Sequence, residues 1–348
     1  MFPARLIKLI RTMSDIIKEL KTQYGKFILR PYTNNDEKEV IKLWQLAFNK
    51  KLDKRIWRWK FHNNPFGHQI ILCLTENNTP IAMYGGIPYI ANWNGQRIRI
   101  TQLIDNMSHP NYRYATKGRK GLFVQTAEHF FEVYGGPHAS VFLYGFPGQK
   151  HYRLGKIFLD YAMVKDGGGY YEAAPSQINK KYLFSSERII KIHTIDKRLD
   201  RLWIEAQKDY VFAVCRNHQF LKWRFLNHPI NKYEILALQK KNKLTAYAIL
   251  TIKNETATIV DLFGKKSSLS ISKIIFKIAQ ILKKWKVKKI KIWLPKNHFV
   301  TKHLLHTGFT GKKEPYGIIT AGKSFHNKLD EQFALKNLYY TMADGDLF

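Results

Sequence analysis

The phrase that begins at Trp59 recurs at Trp223, 164 residues further along the chain. The first copy reads W-K-F-x-N-x-P and the second reads W-R-F-x-N-x-P. The same register continues without a gap into an apolar segment, where residues 71–74 align with residues 235–238. A repeat of this kind predicts one fold used twice, so differences between the halves indicate where chemistry has been retained. Because tryptophan and phenylalanine bury large areas and Asn-x-Pro favours a turn after a helix, we interpret the phrase itself as structural.

The length and composition of the chain agree with two globular domains. A chain of 348 residues corresponds to about two domains of ordinary size, and 45 % apolar with 14 % aromatic residues is typical of packed protein. No apolar run reaches the ~20 residues that cross a bilayer. Basic residues interrupt the apolar residues at the start of the chain, whereas the core of a signal peptide is continuously apolar. Cys73 and Cys215 lie in apolar, strand-like runs, which predicts buried thiols rather than a disulfide or a metal site. We therefore expect a cytoplasmic protein.

The chain is strongly basic, with 58 Lys and Arg against 26 Asp and Glu and a formal net charge of +32. Such a charge attracts polyanions, which include nucleic acid, anionic membrane surfaces and phosphorylated metabolites. The excess is spread along the whole chain, which is equally the pattern of a general lysine enrichment. In the densest stretch, residues 283–293, helical and then strand-like spacing favours a solvated lysine face over a binding stripe. Nucleic acid and anionic membrane surfaces therefore stay possible partners of the chain. Nothing in the sequence indicates the oligomeric state.

Hydrophobic spacing and glycine content divide the chain into five segments. Apolar residues of the first segment recur at helical spacing among basic residues, which predicts an amphipathic helix that packs on the domain, mediates dimerisation or lies on a membrane surface. The two long segments share one order of elements: strand, helix, strand pair, strand, helix, strand. The predicted boundaries are 1–25 for the N-terminal helix, 26–165 and 189–325 for two domains, 166–188 for a Gly-containing linker and 326–348 for a polar tail.

Four short segments carry a resemblance to a known family. Residues 104–113 contain an H-P-x-Y-R phrase after a predicted strand, residues 117–123 form a glycine-basic turn before a predicted helix, residues 144–147 read Y-G-F-P, and residues 304–309 end in G-F. Together with the order of elements, they resemble the GNAT N-acetyltransferase superfamily, more strongly in the first half than in the second. The resemblance implies an α/β (α+β) chain of two tandem GNAT-like domains, each a mixed, mostly antiparallel sheet flanked by helices, with the second domain degenerate.

The glycine-basic turn is the candidate site for coenzyme A. A helix that starts just after glycines presents main-chain N–H groups and a positive dipole end to a pyrophosphate, and the basic residues of the turn add charge. The resemblance implies acetyl-CoA or another acyl-CoA as co-substrate, without a metal. The predicted cofactor-binding residues are Met107, Lys117, Gly118, Arg119, Lys120, Gly121 and Leu122. The spacing departs from the family's R-x-x-G-x-G, so the glycine that contacts phosphate is left open. The matching turn of the second half, residues 261–268, lacks this pattern, which predicts one acyl-CoA site per chain.

Acyl transfer to an amine requires placement, removal of a proton from the ammonium group, and a proton for the departing thiolate. Asp105, at the end of the fourth strand, is the predicted base, with a structural cap or a pair with Arg113 as the alternative. The segment that contains Tyr152 resembles the family's L-Y-x-x-L-G shortened by one residue, which implies that Tyr152 is the proton donor. The alternatives for proton transfer are Tyr144, His109 and His151.

These inferences predict an acyl-CoA-dependent N-acyltransferase that acts on the amine of a polar or anionic small molecule, such as an amino sugar. Two alternatives stay open. One is a Fem-like transferase that takes aminoacyl groups from tRNA, which the net charge of +32 would suit. The other is a non-catalytic GNAT scaffold that binds nucleic acid or membranes. The glycine-basic turn favours coenzyme A, because a tRNA donor does not require it.

Overall fold

The computed structural model describes residues 16–113, 118–164, 168–179, 186–267, 269–315 and 317–345. In chain order the strands are β1 (Lys18–Thr22), β2 (Gly25–Pro31), β3 (Gln69–Thr75), β4 (Pro80–Trp93), β5 (Gln96–Leu103), β6 (Met107–Ser108), β7 (Phe142–Gly145), β8 (Ala162–Val164), β9 (Gly168–Ala173), β10 (Arg188–Lys191), β11 (Phe212–Val214), β12 (Glu234–Lys240), β13 (Lys243–Lys253), β14 (Thr256–Gly264), β15 (Lys289–Pro295), β16 (Thr310–Lys312), β17 (Thr320–Ser324) and β18 (Leu338–Tyr339). The helices are α1 (Glu37–Phe48), α2 (Lys54–Phe61), α3 (Leu122–Tyr134), α4 (Gln149–Phe158), α5 (Lys197–Ala206), α6 (His218–Leu221), α7 (Ser270–Lys284), α8 (Phe299–Leu305) and α9 (Glu331–Asn337). The described residues form two compact units, the first drawn from 1–54, 68–86 and 103–135 and the second from 55–67, 87–102 and 136–348.

The first unit is built on an antiparallel sheet in the order β1-β2-β3-β4, with the short β6 paired to β4. β3 is buried at every position except its last, as expected for a central strand. α3 packs against β3, and the ring of Tyr84 on β4 contacts Phe123, Phe130 and Phe131 of this helix. Aromatic rings of this size bury large apolar areas, so this layer holds the start of α3 firmly on the sheet.

The N-terminal segment corrects one prediction, because Lys18–Thr22 forms strand β1 and not the end of an amphipathic helix. β1 pairs with β2, with Lys18 opposite Leu29. The carbonyl oxygen of Ile16 lies 2.7 Å from His129 Nε2 of α3. The segment K-E-L-K-T also alternates with a period of two, and the open edge of β2 supplies main-chain hydrogen bonds that outweigh the helical spacing. The rest of the predicted helix, residues 1–15, lies outside the described residues.

The second unit contains two sets of strands. In one set, β5 pairs in parallel with β7, and β17 pairs antiparallel with both β7 and β8. In the same set, β11 pairs with residues 91–93 of β4 and with β18. The other set is a sheet in the order β10-β12-β13-β14-β15-β9-β16, in which the β14–β15 pair is parallel and the other described pairs are antiparallel. The predicted fold class, mixed and mostly antiparallel sheets with flanking helices, is confirmed.

Three strands of the second unit lie in places that the predicted segments do not anticipate. β9 comes from the predicted linker, 166–188, and lies between β15 and β16. β17 belongs to the predicted second domain but pairs with β7 and β8 of the predicted first domain. The predicted tail, 326–348, contains α9, β18 and a buried 3₁₀ turn at Met342–Asp344. Each pairing joins residues far apart in sequence, so local spacing does not reveal it.

The two copies of the repeated phrase meet inside the second unit. Trp59 on α2 and Trp223 in a π-helical turn (Lys222–Leu226) stack with ring centroids 4.9 Å apart and planes at 16°. The indole Nε1 of each donates to the main-chain oxygen of the other at 2.9 Å. Both side chains are buried. This exchange of identical hydrogen bonds is what two segments related by a local two-fold axis make.

Candidate active site

Asp105 lies in the break between β5 and β6, in the first unit. Its φ of 52° is in the left-handed region, which Asp and Asn adopt more readily than most residues. On either side of it, Ile104 N–H donates to the Gly85 oxygen at 3.0 Å, and the Asn106 side-chain oxygen accepts from Gly85 N–H at 2.7 Å. The side chain of Asn106 thus replaces a ladder bond that the break removes, and the turn that projects Asp105 from the sheet is well defined.

The carboxylate of Asp105 accepts a hydrogen bond from Trp44 Nε1 on α1, with a distance of 2.9 Å to Oδ1. The guanidinium of Arg113, the alternative partner predicted from the sequence, donates to the main-chain oxygens of Ala47 at 3.1 Å and Ser108 at 3.3 Å. The indole is a neutral donor, so it orients the half-buried carboxylate without supplying a counter-charge. The hydrogen bond from Trp44 therefore fixes the orientation of the carboxylate.

The predicted cofactor turn forms the start of α3 in the same unit. Residues 118–120 make a 3₁₀ turn, closed by Gly121 N–H donating to the Gly118 oxygen at 3.0 Å. Gly118 has a φ of 64°, which favours glycine. α3 begins at Leu122, and no acidic side chain lies in its described first turn. Among the described residues, the first turn of α3 therefore contributes no carboxylate of its own beside the positive end of the helix dipole.

The remaining predicted cofactor residues differ in what they can offer. Arg119 and Lys120 are exposed beside the helix start, where their charges can meet a phosphate. Leu122 is buried, and Met107 is buried on β6 opposite Met83 of β4, so these two side chains face the core. Lys117 lies outside the described residues.

Tyr152 lies on α4, in the second unit, and its side chain is buried. Burial raises the pKa of its hydroxyl, which is protonated at neutral pH as an ordinary tyrosine hydroxyl is. His109 caps a 3₁₀ turn by accepting from Asn111 N–H at 3.2 Å, which gives it a structural role. His151 is exposed on α4. The structure therefore assigns Asp105 and the cofactor turn to the first unit, and Tyr152 to the second.

The sequence did not reveal a buried polar cluster in the second unit, formed by Arg216, Asp261 and Asp344. Arg216 Nη2 is bonded to Asp344 Oδ2 and lies 3.7 Å from Asp261 Oδ1. Asp261 also accepts from Tyr247 OH at 2.7 Å and from Thr341 Oγ1 at 2.9 Å. All three charged side chains are almost completely buried. Single charges inside apolar runs, as in F-A-V-C-R and T-I-V-D-L-F, are the signal that could have indicated it.

No group of three or more His, Cys, Asp or Glu side chains among the described residues is arranged to hold a metal ion. None of their helices has the length and apolar character that crossing a bilayer demands.

Comparisons with known proteins identify the matched region. Residues 29–154 match the model of the acetyltransferase (GNAT) domain family, and no curated protein matches the chain. A GCN5-related N-acetyltransferase from Anabaena variabilis has a similar fold, with a TM-score of 0.65, 12 % identity, and coverage of 86 % of this chain and 73 % of that chain. One from Kribbella flavida gives a TM-score of 0.61, 10 % identity, and coverage of 86 % and 71 %.

A third similar structure is a GCN5-related glucosamine N-acetyltransferase region of a fungal multi-domain GH3 β-N-acetylglucosaminidase. Its TM-score is 0.55 at 12 % identity, with coverage of 86 % of this chain and 38 % of that chain. At these identities the structural likeness shows the fold, while the family match identifies the region that contains Asp105, the cofactor turn and Tyr152. The chain therefore carries an acetyltransferase domain of the GNAT family, as its sequence predicts.

Proposed function

We propose that the chain transfers an acyl group, acetyl in the first instance, from acyl-CoA to the amine of a polar or anionic small molecule such as an amino sugar. The observation that carries the proposal is the start of α3. There the 3₁₀ turn of residues 118–120, the exposed Arg119 and Lys120 and the first-turn amides form a site for the pyrophosphate of coenzyme A. The fungal neighbour described as a glucosamine N-acetyltransferase region makes glucosamine the first acceptor to test.

In the proposed reaction the amine nitrogen attacks the thioester carbonyl carbon, the C–N bond forms, and the C–S bond breaks to release the thiolate of coenzyme A. A primary ammonium group must first lose a proton, and Asp105 accepts it. The thiolate gains a proton from Tyr152, whose hydroxyl is protonated at neutral pH. Holding the two reactants together removes most of the entropic barrier, so the binding sites contribute as much as the proton transfers do.

The matching turn of the second half, residues 261–268, supports the proposal that this half is a degenerate duplicate without a cofactor site. At its matching turn, Lys265 is paired with Glu205, and Lys266 N–H donates to Asp209 Oδ2 at 2.9 Å. The protein's own carboxylates therefore take the place of an anion. A Cβ at Gly264 would lie 2.7 Å from Ala246 Cβ, so this glycine serves close packing. The two-fold exchange of hydrogen bonds between Trp59 and Trp223 supports the duplication itself.

The proposal is tested by calorimetry with acetyl-CoA on wild type, Gly121→Val and the double variant Arg119→Ala/Lys120→Ala. Gly121 has a φ of −59°, so its backbone conformation is compatible with a side chain, which would stand at the start of α3 where the anion is proposed to bind. We expect one site per chain and at least about tenfold weaker binding in both variants, since one charge-assisted contact contributes on the order of 1.5–3 kcal/mol.

The matched control is Lys283→Ala/Lys284→Ala, which removes two exposed positive charges from the last turn of α7, whereas Arg119 and Lys120 precede the first turn of α3. This control should bind acetyl-CoA like wild type, which separates local contact from net charge. Two sites per chain, or full affinity in Gly121→Val, would refute the assignment of this turn.

The net charge of +32 is the observation that favours a tRNA-dependent transferase instead. Thermal shift with acetyl-CoA, longer acyl-CoAs and tRNA in parallel distinguishes the two. We expect stabilisation by an acyl-CoA that tRNA does not compete with.

A further inference from the structure

The second unit exposes two large apolar side chains at one end of the sheet that contains β13, β14 and β15. Ile252 is the next-to-last residue of β13 and is 41 % exposed. Trp285 directly follows the last turn of α7 and is 46 % exposed. Exposed apolar side chains that stand singly are ordinary, whereas neighbouring ones mark a surface that contacts a partner.

The connection from β14 through α7 to β15 places both side chains at the same end of the sheet. β14 and β15 are parallel, with Thr256 opposite Lys289, so α7 runs back along them and ends where both strands begin. β13 ends at this place too, and it carries Ile252 there. The N–H of Lys288 donates to the Glu255 oxygen at 2.8 Å, which joins the segment after α7 to the β13–β14 turn.

The two side chains also lie on the same side of the sheet. Directly paired residues of neighbouring strands point to one face, so Ile252 shares a face with Ala257 and Ile290. Ala257 and Ile290 are buried, whereas Thr256 and Lys289 on the opposite face are not. Since α7 packs on β13 and β14, this burial indicates that α7 covers the face of Ile252. Ile252 therefore lies beside the end of α7, where the exposed tryptophan follows.

Positive charge surrounds this apolar pair. Lys253 follows Ile252 directly, and Glu255, the acidic residue of the β13–β14 turn, is paired with Lys288 at 2.8 Å. Four lysines here are exposed and form no ion pair with other described residues: Lys253, Lys283, Lys284 and Lys286. We call Ile252, Lys253 and residues 283–286 the α7-end surface. It has an apolar centre and a positively charged surround.

This combination is complementary to an anionic membrane surface. Tryptophan is favoured between lipid headgroups and acyl chains, and lysines beside it reach anionic headgroups through their long apolar stems. Nucleic acid would also attract the lysines and could stack a base on Trp285, but an aliphatic side chain offers no stacking. Ile252 adds apolar area that only the lipid interface uses, so the surface favours lipid.

We propose that the α7-end surface binds anionic phospholipid membranes from one side, without crossing them. Trp285 and Ile252 enter the headgroup region, and the four lysines contact the anionic headgroups. Two apolar side chains and four charges give weak, reversible attachment, which salt weakens by screening the lysines. The α7-end surface contains no residue assigned to acyl transfer, so this proposal stands apart from the proposed function.

The test is co-sedimentation with vesicles of phosphatidylcholine alone and with vesicles that also contain about 30 % phosphatidylglycerol. Trp285→Ala removes the apolar centre, and Lys283→Ala/Lys284→Ala removes half of the four lysine charges. All three positions are exposed, so both variants should fold and keep melting temperatures near that of wild type.

The matched controls change the same chemistry elsewhere in the second unit. Ile204→Ala removes an apolar side chain of α5 that is 63 % exposed. Lys240→Ala/Lys243→Ala removes two exposed charges beside the β12–β13 turn, at the opposite end of β13 from Ile252. The lysine control lowers the net charge by the same amount as the lysine test variant, which separates the α7-end surface from the overall charge.

We expect wild type and both controls to bind the vesicles with phosphatidylglycerol and not those of phosphatidylcholine alone. Each test variant should bind at least about tenfold more weakly. Absence of binding to the anionic vesicles, wild-type binding in Trp285→Ala, or equal losses in the test and control variants would overturn the proposal. Binding of poly(U) RNA that Trp285→Ala weakens, without binding to vesicles, would assign the surface to nucleic acid instead.

Discussion

Asp105 follows β5, upstream of helix α3, and Asp261 lies on β14, upstream of helix α7. The surroundings of the two carboxylates differ. Asp105 is half-buried and accepts from Trp44 Nε1. Asp261 is fully buried, accepts from Tyr247 and Thr341, and lies 3.7 Å from Arg216 Nη2. A carboxylate so completely buried and bonded contributes to packing, whereas the half-buried Asp105 at a strand break keeps part of its surface exposed to solvent.

Asparagine at position 105 retains an oxygen for Trp44 Nε1 and tolerates the left-handed φ, but it removes the charge. For Asp105→Asn we expect turnover with acetyl-CoA to fall by ~10²-fold or more, the acid-side limb of the pH–rate profile to disappear, and the acetyl-CoA affinity and melting temperature to stay near wild type. Tyr152→Phe should lower turnover similarly.

The comparison variant is Asp105→Ala, which also loses the bond to Trp44 and should be less stable than Asp105→Asn in urea denaturation. Normal turnover in Asp105→Asn beside a destabilised Asp105→Ala would show that the carboxylate is purely structural.

Residues of the candidate site were predictable where their signal is local. A helix start is predicted within a few positions by Gly118, Gly121 and the basic residues between them. In the structure, α3 begins at Leu122. The buried cluster of Arg216, Asp261 and Asp344 was not predictable, because its members come from the end of β11, from β14 and from the turn after β18. Only the tertiary fold brings such residues together.

At the level of elements, strong periodicity predicted most of the regular structure. The strand pair that the order of elements predicts in the second half is observed as Glu234–Lys240 and Lys243–Lys253. Alternation and helical spacing are local properties, so they carry this information. β9 and β18 were missed because pairing with a distant partner decides their conformation: β9 depends on β15 and β16, and β18 on β11. β1 was missed because pairing with the neighbouring β2 outweighs the helical spacing of its apolar residues.

The contact between α2 and the π-helical turn that follows α6 gives a prediction about stability. Trp59→Phe or Trp223→Phe removes one indole donor and leaves one buried main-chain oxygen without it, so each should lower the free energy of unfolding by about 1–3 kcal/mol. Because the rings stack, the double variant should deviate from the sum of the single variants by at least about 0.5 kcal/mol in guanidinium denaturation.

Trp285→Phe is the control for this cycle, because Trp285 is 46 % exposed and should change stability by no more than about 0.5 kcal/mol. Strict additivity of the Trp59 and Trp223 changes would argue against a cooperative contact.

For the molecule as a whole, charge is the dominant property. The buried cations Arg216 and Arg224 are bound by carboxylate or main-chain oxygens, so they are not available to a polyanion. Lysines such as Lys283 and Lys284 are exposed and add to the external field. Such a field attracts nucleic acid without selecting it, through release of counterions.

We therefore expect tRNA to bind the chain weakly and with a steep dependence on salt, losing roughly 10³-fold in affinity between about 50 and about 200 mM salt if six or more phosphates are contacted. Acetyl-CoA binding should depend on salt much less, because it presents few charges to one turn of the protein. Saturating tRNA should leave the acetyl-CoA affinity unchanged, since the two act at different places. Filter binding and calorimetry over a salt series measure both. A tRNA complex that resists salt and competes with acetyl-CoA would instead indicate that the charge serves an aminoacyl-tRNA donor.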